Sequence, residues 1–137
     1  MTARPDILDS ILDTTGLTPM VRLARIGRDL PGELLGKCEF MNPGGSVKDR
    51  AGRQMILEAE QRGDLRRGGL VVEATAGNTG IGLALVANAR GYRTLIVIPQ
   101  TQSQEKKDML RLAGAELVEV PAVAYSNPNN YQHVGRR

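Results

Sequence analysis

A chain of 137 residues is one domain's worth of sequence, able to bury about two-thirds of the surface its unfolded form exposes, so residues 1–137 read as a single domain. With 41% hydrophobic residues, no long apolar run and no apolar core within residues 1–10, it is expected to be soluble and cytoplasmic rather than exported or membrane-spanning. A net charge of +3 spread over short basic pairs, with 3% aromatic residues and no Trp, excludes a nucleic-acid face built on charge or on stacking.

In chain order, the first elements are two short strand-like pieces, 20–23 and 34–40, joined through the turn residues Pro31-Gly32. The lone Cys38 lies in this apolar stretch, cannot form an internal disulfide and has no His or second Cys near it in sequence, so it is expected to be a small core residue. A helix is predicted over about 47–62, stopping at Gly63. After it the pattern alternates. Strands are expected at Leu70–Ala74, 93–98 and 116–120, and helices at 79–90 and 103–113, ending at Gly91 and Gly114. Asn78 or Thr79 is a candidate cap for the second helix, and Thr101 with Gln104 fits a capping box for the third. Strand–helix alternation of this kind builds an α/β fold around a parallel sheet with crossover helices. The turn residues 127–130 then lead into the first turn of a further helix, which carries the sole histidine, His133, beside no recognisable triad or metal set. No metal cluster is expected anywhere.

Two glycine-bearing stretches stand where a loop turns into a helix: Asn42-Pro43-Gly44-Gly45-Ser46-Val47-Lys48-Asp49-Arg50, and Glu73-Ala74-Thr75-Ala76-Gly77-Asn78-Thr79-Gly80. Backbone N–H groups point outward at such a helix start and suit a phosphate or carboxylate. A cation in the first helical turn opposes the macrodipole by about 0.3–1 kcal/mol, so Lys48 suggests a purpose other than helix stability. An amine partly desolvated at that positive end has its ammonium form destabilised, which favours attack on an aldehyde. The handedness of the crossover connection puts the Thr75–Gly80 loop at the carboxyl edge of the sheet, where open α/β sheets bind ligands. Rival phosphate motifs fail: Gly77, Gly80 and Gly82 run in the wrong order for a dinucleotide fingerprint, no acidic residue lies between Glu73 and Glu105 to hold a ribose, and the lysine string lacks the P-loop spacing.

The strings NPGGSVKDR (42–50) and EATAGNTGIGLALVA (73–87), with TGLTPMVRL (15–23) before them and SNPNNY (126–131) after, resemble the pyridoxal-phosphate enzymes of the cysteine synthase and cystathionine β-synthase group. The likeness runs in order through the chain, including IPQTQSQEKKDMLRLAGAELVEV (98–120), and covers the N-terminal portion of that family. It implies the fold-type-II, tryptophan-synthase-β-like architecture, a three-layer αβα arrangement around a parallel sheet. It also implies that residues 17–40 form a hairpin-like segment that packs on a second domain lying beyond Arg137.

By the same resemblance, Lys48 corresponds to the residue that holds pyridoxal 5'-phosphate covalently and moves the substrate α-proton, and Asn78 to the one that hydrogen-bonds the cofactor's ring hydroxyl. Thr75, Ala76, Gly77 and Thr79 correspond to the loop that grips the substrate carboxylate. Ala76 stands where a serine is common in the family, a change that preserves backbone donation and loses a hydroxyl. The family's phosphate cradle and the group facing the pyridine nitrogen correspond to nothing in these residues, so the chain is expected to be truncated and weakly active or inactive alone. The implied reaction is cysteine synthesis from O-acetylserine and sulfide. The nearest alternative is cystathionine β-synthase chemistry, and an alternative of another class is a non-catalytic remnant that binds a partner chain. Full-length relatives are expected to be homodimers acting on amino-acid substrates, and a partner chain could supply the missing half.

Overall fold

A computed structural model describes residues 7–137. An antiparallel ribbon joins β1 (Met20–Arg22) to β2 (Leu35–Lys37), with Val21 opposite Gly36. The chain then runs through a 3-10 turn (Glu39–Met41) into α1 (Lys48–Arg62). Next come β3 (Leu70–Ala74), α2 (Asn78–Ala89), β4 (Arg93–Pro99), α3 (Gln104–Leu112) and β5 (Ala115–Val120), followed by the single turn α4 (Tyr131–Val134). The three later strands form a parallel sheet in the order β3-β4-β5, with Glu73 beside Ile96 and Ile96 beside Leu117. This is the expected α/β sheet with crossover helices.

Alternation along the strands sorts the two faces. Thr94, Ile96 and Ile98 of β4 and Ala115 of β5 are buried on one face, against Ile81 and Ala84 of α2 and Leu110 of α3. A second cluster, Leu12, Ile56, Leu83, Val86 and Ala87, fills the space between α1 and the outer side of α2. On the opposite face α4 packs near the strand tips, where a side chain on Gly135 would come 2.6 Å from Ala74 Cβ. Val72 and Val118, on that same face, stay exposed. Lys107, from the scattered basic pairs, is buried: its ammonium donates to the Gln100 carbonyl at 2.8 Å and to Glu119 at 2.7 Å, tying α3 to β5.

The helices stop as their glycines predict. Gly63, Gly91 and Gly114 all have left-handed φ of 78°, 81° and 92°. Their starts differ from expectation. Asn78 and Thr79 do not cap α2; both lie inside it, and Gly77 is the N-cap. Thr101 does not cap α3 either. Residues 100–102 close a turn through the Gln102 N–H to the Pro99 carbonyl, so the helix begins after Ser103, and Gln104 turns its amide to Asp108 at 2.7 Å instead. Cys38 is half-buried rather than a core residue, because it sits at the head of the 3-10 turn. No helix among the described residues is long and apolar enough to cross a membrane.

Candidate active site

Lys48 is the first residue of α1 and Asn78 the first of α2, so the two candidate residues head neighbouring helices. What brings them together is a backbone-to-backbone crossing. A side chain on Gly52 would lie 2.6 Å from the Gly82 carbonyl carbon, and one on Gly82 would lie 2.7 Å from the Lys48 carbonyl oxygen. Only glycine allows two helices to approach so closely, at a conformational cost of about 0.5–1 kcal/mol for each mid-helix glycine. The crossing fixes the Lys48 backbone against α2 one helical turn beyond Asn78.

The approach to Lys48 is equally fixed. Ser46 Oγ accepts from the Lys48 N–H at 3.2 Å, and the buried Asp49 carboxylate accepts from the Gly44 N–H. Beneath this loop, Asn42 accepts from the Gly16 N–H at 2.8 Å and donates to Glu39 at 2.9 Å. Arg50 chelates the same Glu39 with two contacts of 2.9 Å and donates to the Gly16 carbonyl at 2.9 Å. Thr18 completes the hub, donating to Glu39 at 2.8 Å. Arg50, then Thr18 and Asn42, favour the ionised form and bring the Glu39 carboxyl down to about 2. Burial does the reverse to Asp49 and to Glu73, pushing both carboxyls up.

The second loop leaves β3 at Ala74. Its first peptide continues the ladder, Thr75 N–H donating to the Val97 carbonyl at 3.2 Å, while Thr75 Oγ1 accepts from the Gly77 N–H at 3.1 Å. The Thr75 methyl packs where a Gly80 side chain would stand, at 2.7 Å, so Gly80 is required for the loop to sit down on α2. Gln102 donates to the Ala76 carbonyl at 3.1 Å and braces the loop from the β4–α3 connection. Gly77 differs: its φ is −122° and the nearest atom to an added Cβ is 3.9 Å away, so its lack of a side chain leaves open space.

Lys48 and Asn78 are both exposed, whereas Thr75, Ala76, Gly77 and Thr79 are half-buried. Lys48 being exposed, the partial desolvation expected for its amine is not met. His133 takes no part. Its Nε2 lies 2.6 Å from the Tyr125 carbonyl, and its ring packs tilted at 41° against that of Tyr125 with centroids 4.5 Å apart. No group of metal-ligating side chains occurs among the described residues.

This donor set fits pyridoxal phosphate. An accessible amine stands ready for an aldehyde, and no side chain caps the start of the 12-residue α2, which leaves its first N–H groups pointing out beside the Thr75 and Thr79 hydroxyls to meet an anion. Sequence reasoning missed Asp49, Glu39, Arg50, Gln102 and the Gly52–Gly82 crossing. The crossing had a signal, glycines placed inside helical patterns, which need a packing reason.

Comparison with known proteins supports the same chemistry. The chain is 56% identical over 131 residues to Cysteine synthase 1 of Neurospora crassa, covering 96% of this chain and 35% of that protein. It is 47% identical over 132 residues to a cystathionine beta-synthase of Dictyostelium discoideum, covering 96% of this chain and 26% of the relative. Among solved structures it superposes on O-ureido-L-serine synthase with a TM-score of 0.79 and 43% identity, covering 90% of this chain and 39% of that one. The chain thus spans about a third of the length of the cysteine synthases it matches and about a quarter of the cystathionine β-synthases. The model of the pyridoxal-phosphate dependent enzymes matches residues 11–136, nearly the whole chain and every candidate residue in it. With that match over nearly all of its length, the chain belongs to the pyridoxal-phosphate dependent enzyme family.

Proposed function

We propose that this chain supplies the lysine side of a site for β-replacement on an O-substituted serine, with O-acetylserine as donor, sulfide as nucleophile and cysteine as product. The observation that carries the reading is the glycine crossing, which holds Lys48 one turn from the uncapped start of α2. Lys48 binds the cofactor and takes, then returns, the substrate α-proton. Asn78 hydrogen-bonds the cofactor ring hydroxyl. The loop of Thr75, Ala76, Gly77 and Thr79 holds the substrate carboxylate through the amides of Ala76 and Thr79 and the two threonine hydroxyls, Gly77 leaving room for it. When bound, pyridoxal phosphate supplies the electron-withdrawing ring that makes the α-carbon acidic and lets the β-substituent leave.

Both Lys48 and Asn78 face water, so these 137 residues by themselves are expected to bind the cofactor reversibly and to turn over slowly. The similarity to a cystathionine beta-synthase supports a second reading, in which serine and homocysteine replace O-acetylserine and sulfide. A reading of another class, a non-catalytic chain that docks on a partner, is favoured by exposed apolar residues on the ribbon and the 3-10 turn, Met20, Val21, Leu35 and Phe40. In that reading residues 17–40 pack on a second domain or a partner chain, and the assembly is a homodimer or a complemented pair.

The deciding experiment adds pyridoxal phosphate to the purified chain and to Lys48→Ala and compares visible absorbance. A band that requires Lys48 is the expected result. No band, or an equal band in the variant, would sink the catalytic reading and leave the docking one.

A further inference from the structure

Asp49 is the second residue of α1, directly after Lys48, and its side chain is 0% exposed. One carboxylate oxygen accepts from the Gly44 N–H, and Oδ1 has no hydrogen-bond partner among the described residues. A side chain on Gly44 would stand 2.6 Å from Oδ1 and 3.0 Å from Oδ2, so the loop is folded directly onto the carboxyl. From behind, a side chain on Gly82 would lie 3.2 Å from the Asp49 Cα. The carboxyl is thus held between the loop that leads into Lys48 and the helix that carries Asn78.

A buried carboxylate with one hydrogen bond opposes stability, since burial removes water from a charge that a single amide only partly replaces. Burial accordingly raises its pKa. Among the described residues, the one partner of this carboxyl is the loop that leads into Lys48. We propose that Asp49 is a positioning residue for Lys48: its clasp on the Gly44 N–H closes residues 44–49 into a fixed loop and holds the lysine's backbone in register with α2. The claim rests on the reading of Lys48 as the cofactor-binding amine. Asp49 touches neither cofactor nor substrate in this scheme; it acts through the loop.

The test uses pyridoxal phosphate as probe, trapped on lysines with borohydride, and maps the label by peptide mass. Lys106 on α3, half-buried and outside the clasp, serves in the same sample as the internal reference for lysine reactivity. The wild-type chain is expected to label Lys48 preferentially. Asp49→Ala and Gly44→Ala, which remove the clasp from opposite sides, are expected to lower the Lys48 share about fivefold, the factor for one net hydrogen bond. Asp49→Asn keeps an acceptor for the Gly44 N–H and is expected to stay within about twofold of wild type on the same scale. A merely structural role would not separate Asn from Ala in a folded protein, nor leave the Lys106 reference unchanged. Undiminished Lys48 preference in a folded Asp49→Ala or Gly44→Ala chain overturns the clasp alone, as does a loss in Asp49→Asn equal to that in either. Absence of any Lys48 preference in wild type overturns the cofactor reading and the clasp with it, while slow exchange of the Gly44 N–H would still report whether the loop is closed.

Discussion

Glu39 is the residue on which the approach to the site converges, because Arg50, Thr18 and Asn42 all direct donors at its two oxygens. Its carboxyl is held down to about 2, below the usual carboxylate range. A group whose folded pKa is depressed stabilises the fold above its unfolded pKa and loses that contribution as pH falls through the folded value. Glu39 should therefore support the fold fully above about pH 5 and progressively less toward pH 2. Asp49 has the opposite sign: its raised pKa means the folded form holds its proton longer, so its unfavourable effect is relieved as the solution is acidified. Thermal midpoints measured from pH 2 to 6 should fall with acid in wild type and fall less in Glu39→Gln, which starts lower at neutral pH. An unchanged slope in Glu39→Gln would show that the hub does not carry the acid sensitivity.

At the scale of elements, the α1–α2 crossing makes a sharper claim about glycine. Gly52 and Gly82 meet backbone, which cannot swing aside, so Ala at either position should cost about 1–3 kcal/mol in urea unfolding and should also move Lys48 relative to Asn78. Gly77→Ala meets open space at an ordinary negative φ and should unfold like wild type while impairing the anion site. Equal stability of Gly82→Ala and Gly77→Ala would refute this division. The helix ends were legible in the chain because Gly63, Gly91 and Gly114 meet a steric demand that glycine satisfies far better than other residues. The starts were less legible: Asn78, Thr79 and Thr101 are all competent caps by composition, and the choice among positions is made by where the β3 and β4 connections turn. Lys48 and Asn78 could be named from motif and family likeness alone. Asp49 could not, since nothing local says that a charged residue after a lysine will be turned inward; its burial arises from the Gly44 loop and α2, which come together only in three dimensions.

For the molecule as a whole, burial is lopsided. The parallel sheet carries α2 and α3 on one face, with α1 outside α2, while among the described residues the other face has a single helix, the four-residue α4, and leaves Val72 43% and Val118 37% exposed. Parallel strands are normally covered on both sides, so stability should be concentrated toward the helical face and fade outward. The ribbon lies at the far end of that gradient. Every residue of β1 is exposed, and its three residue pairs with β2 have no core beneath them. A two-stranded ribbon of this size is marginal on its own. The base of the ribbon is tied down, however, by the Lys37 ammonium on the Thr18 carbonyl at 2.7 Å, by the Cys38 N–H on the Pro19 carbonyl at 2.9 Å and by the Glu39 hub. Amide exchange should therefore be slowest in β4 around Ile96 and Ile98 and intermediate at Cys38. It should approach solvent rates from Val21 outward along the ribbon, where amides have few buried neighbours to hold them closed. If residues 20–37 in a monomer proved as protected as β4, the ribbon would need no covering partner, and the docking surface proposed for residues 17–40 would lose its physical basis. Selective slowing of those same amides when the remaining part of a cysteine synthase is added in trans would instead identify the ribbon as the place where the two pieces meet.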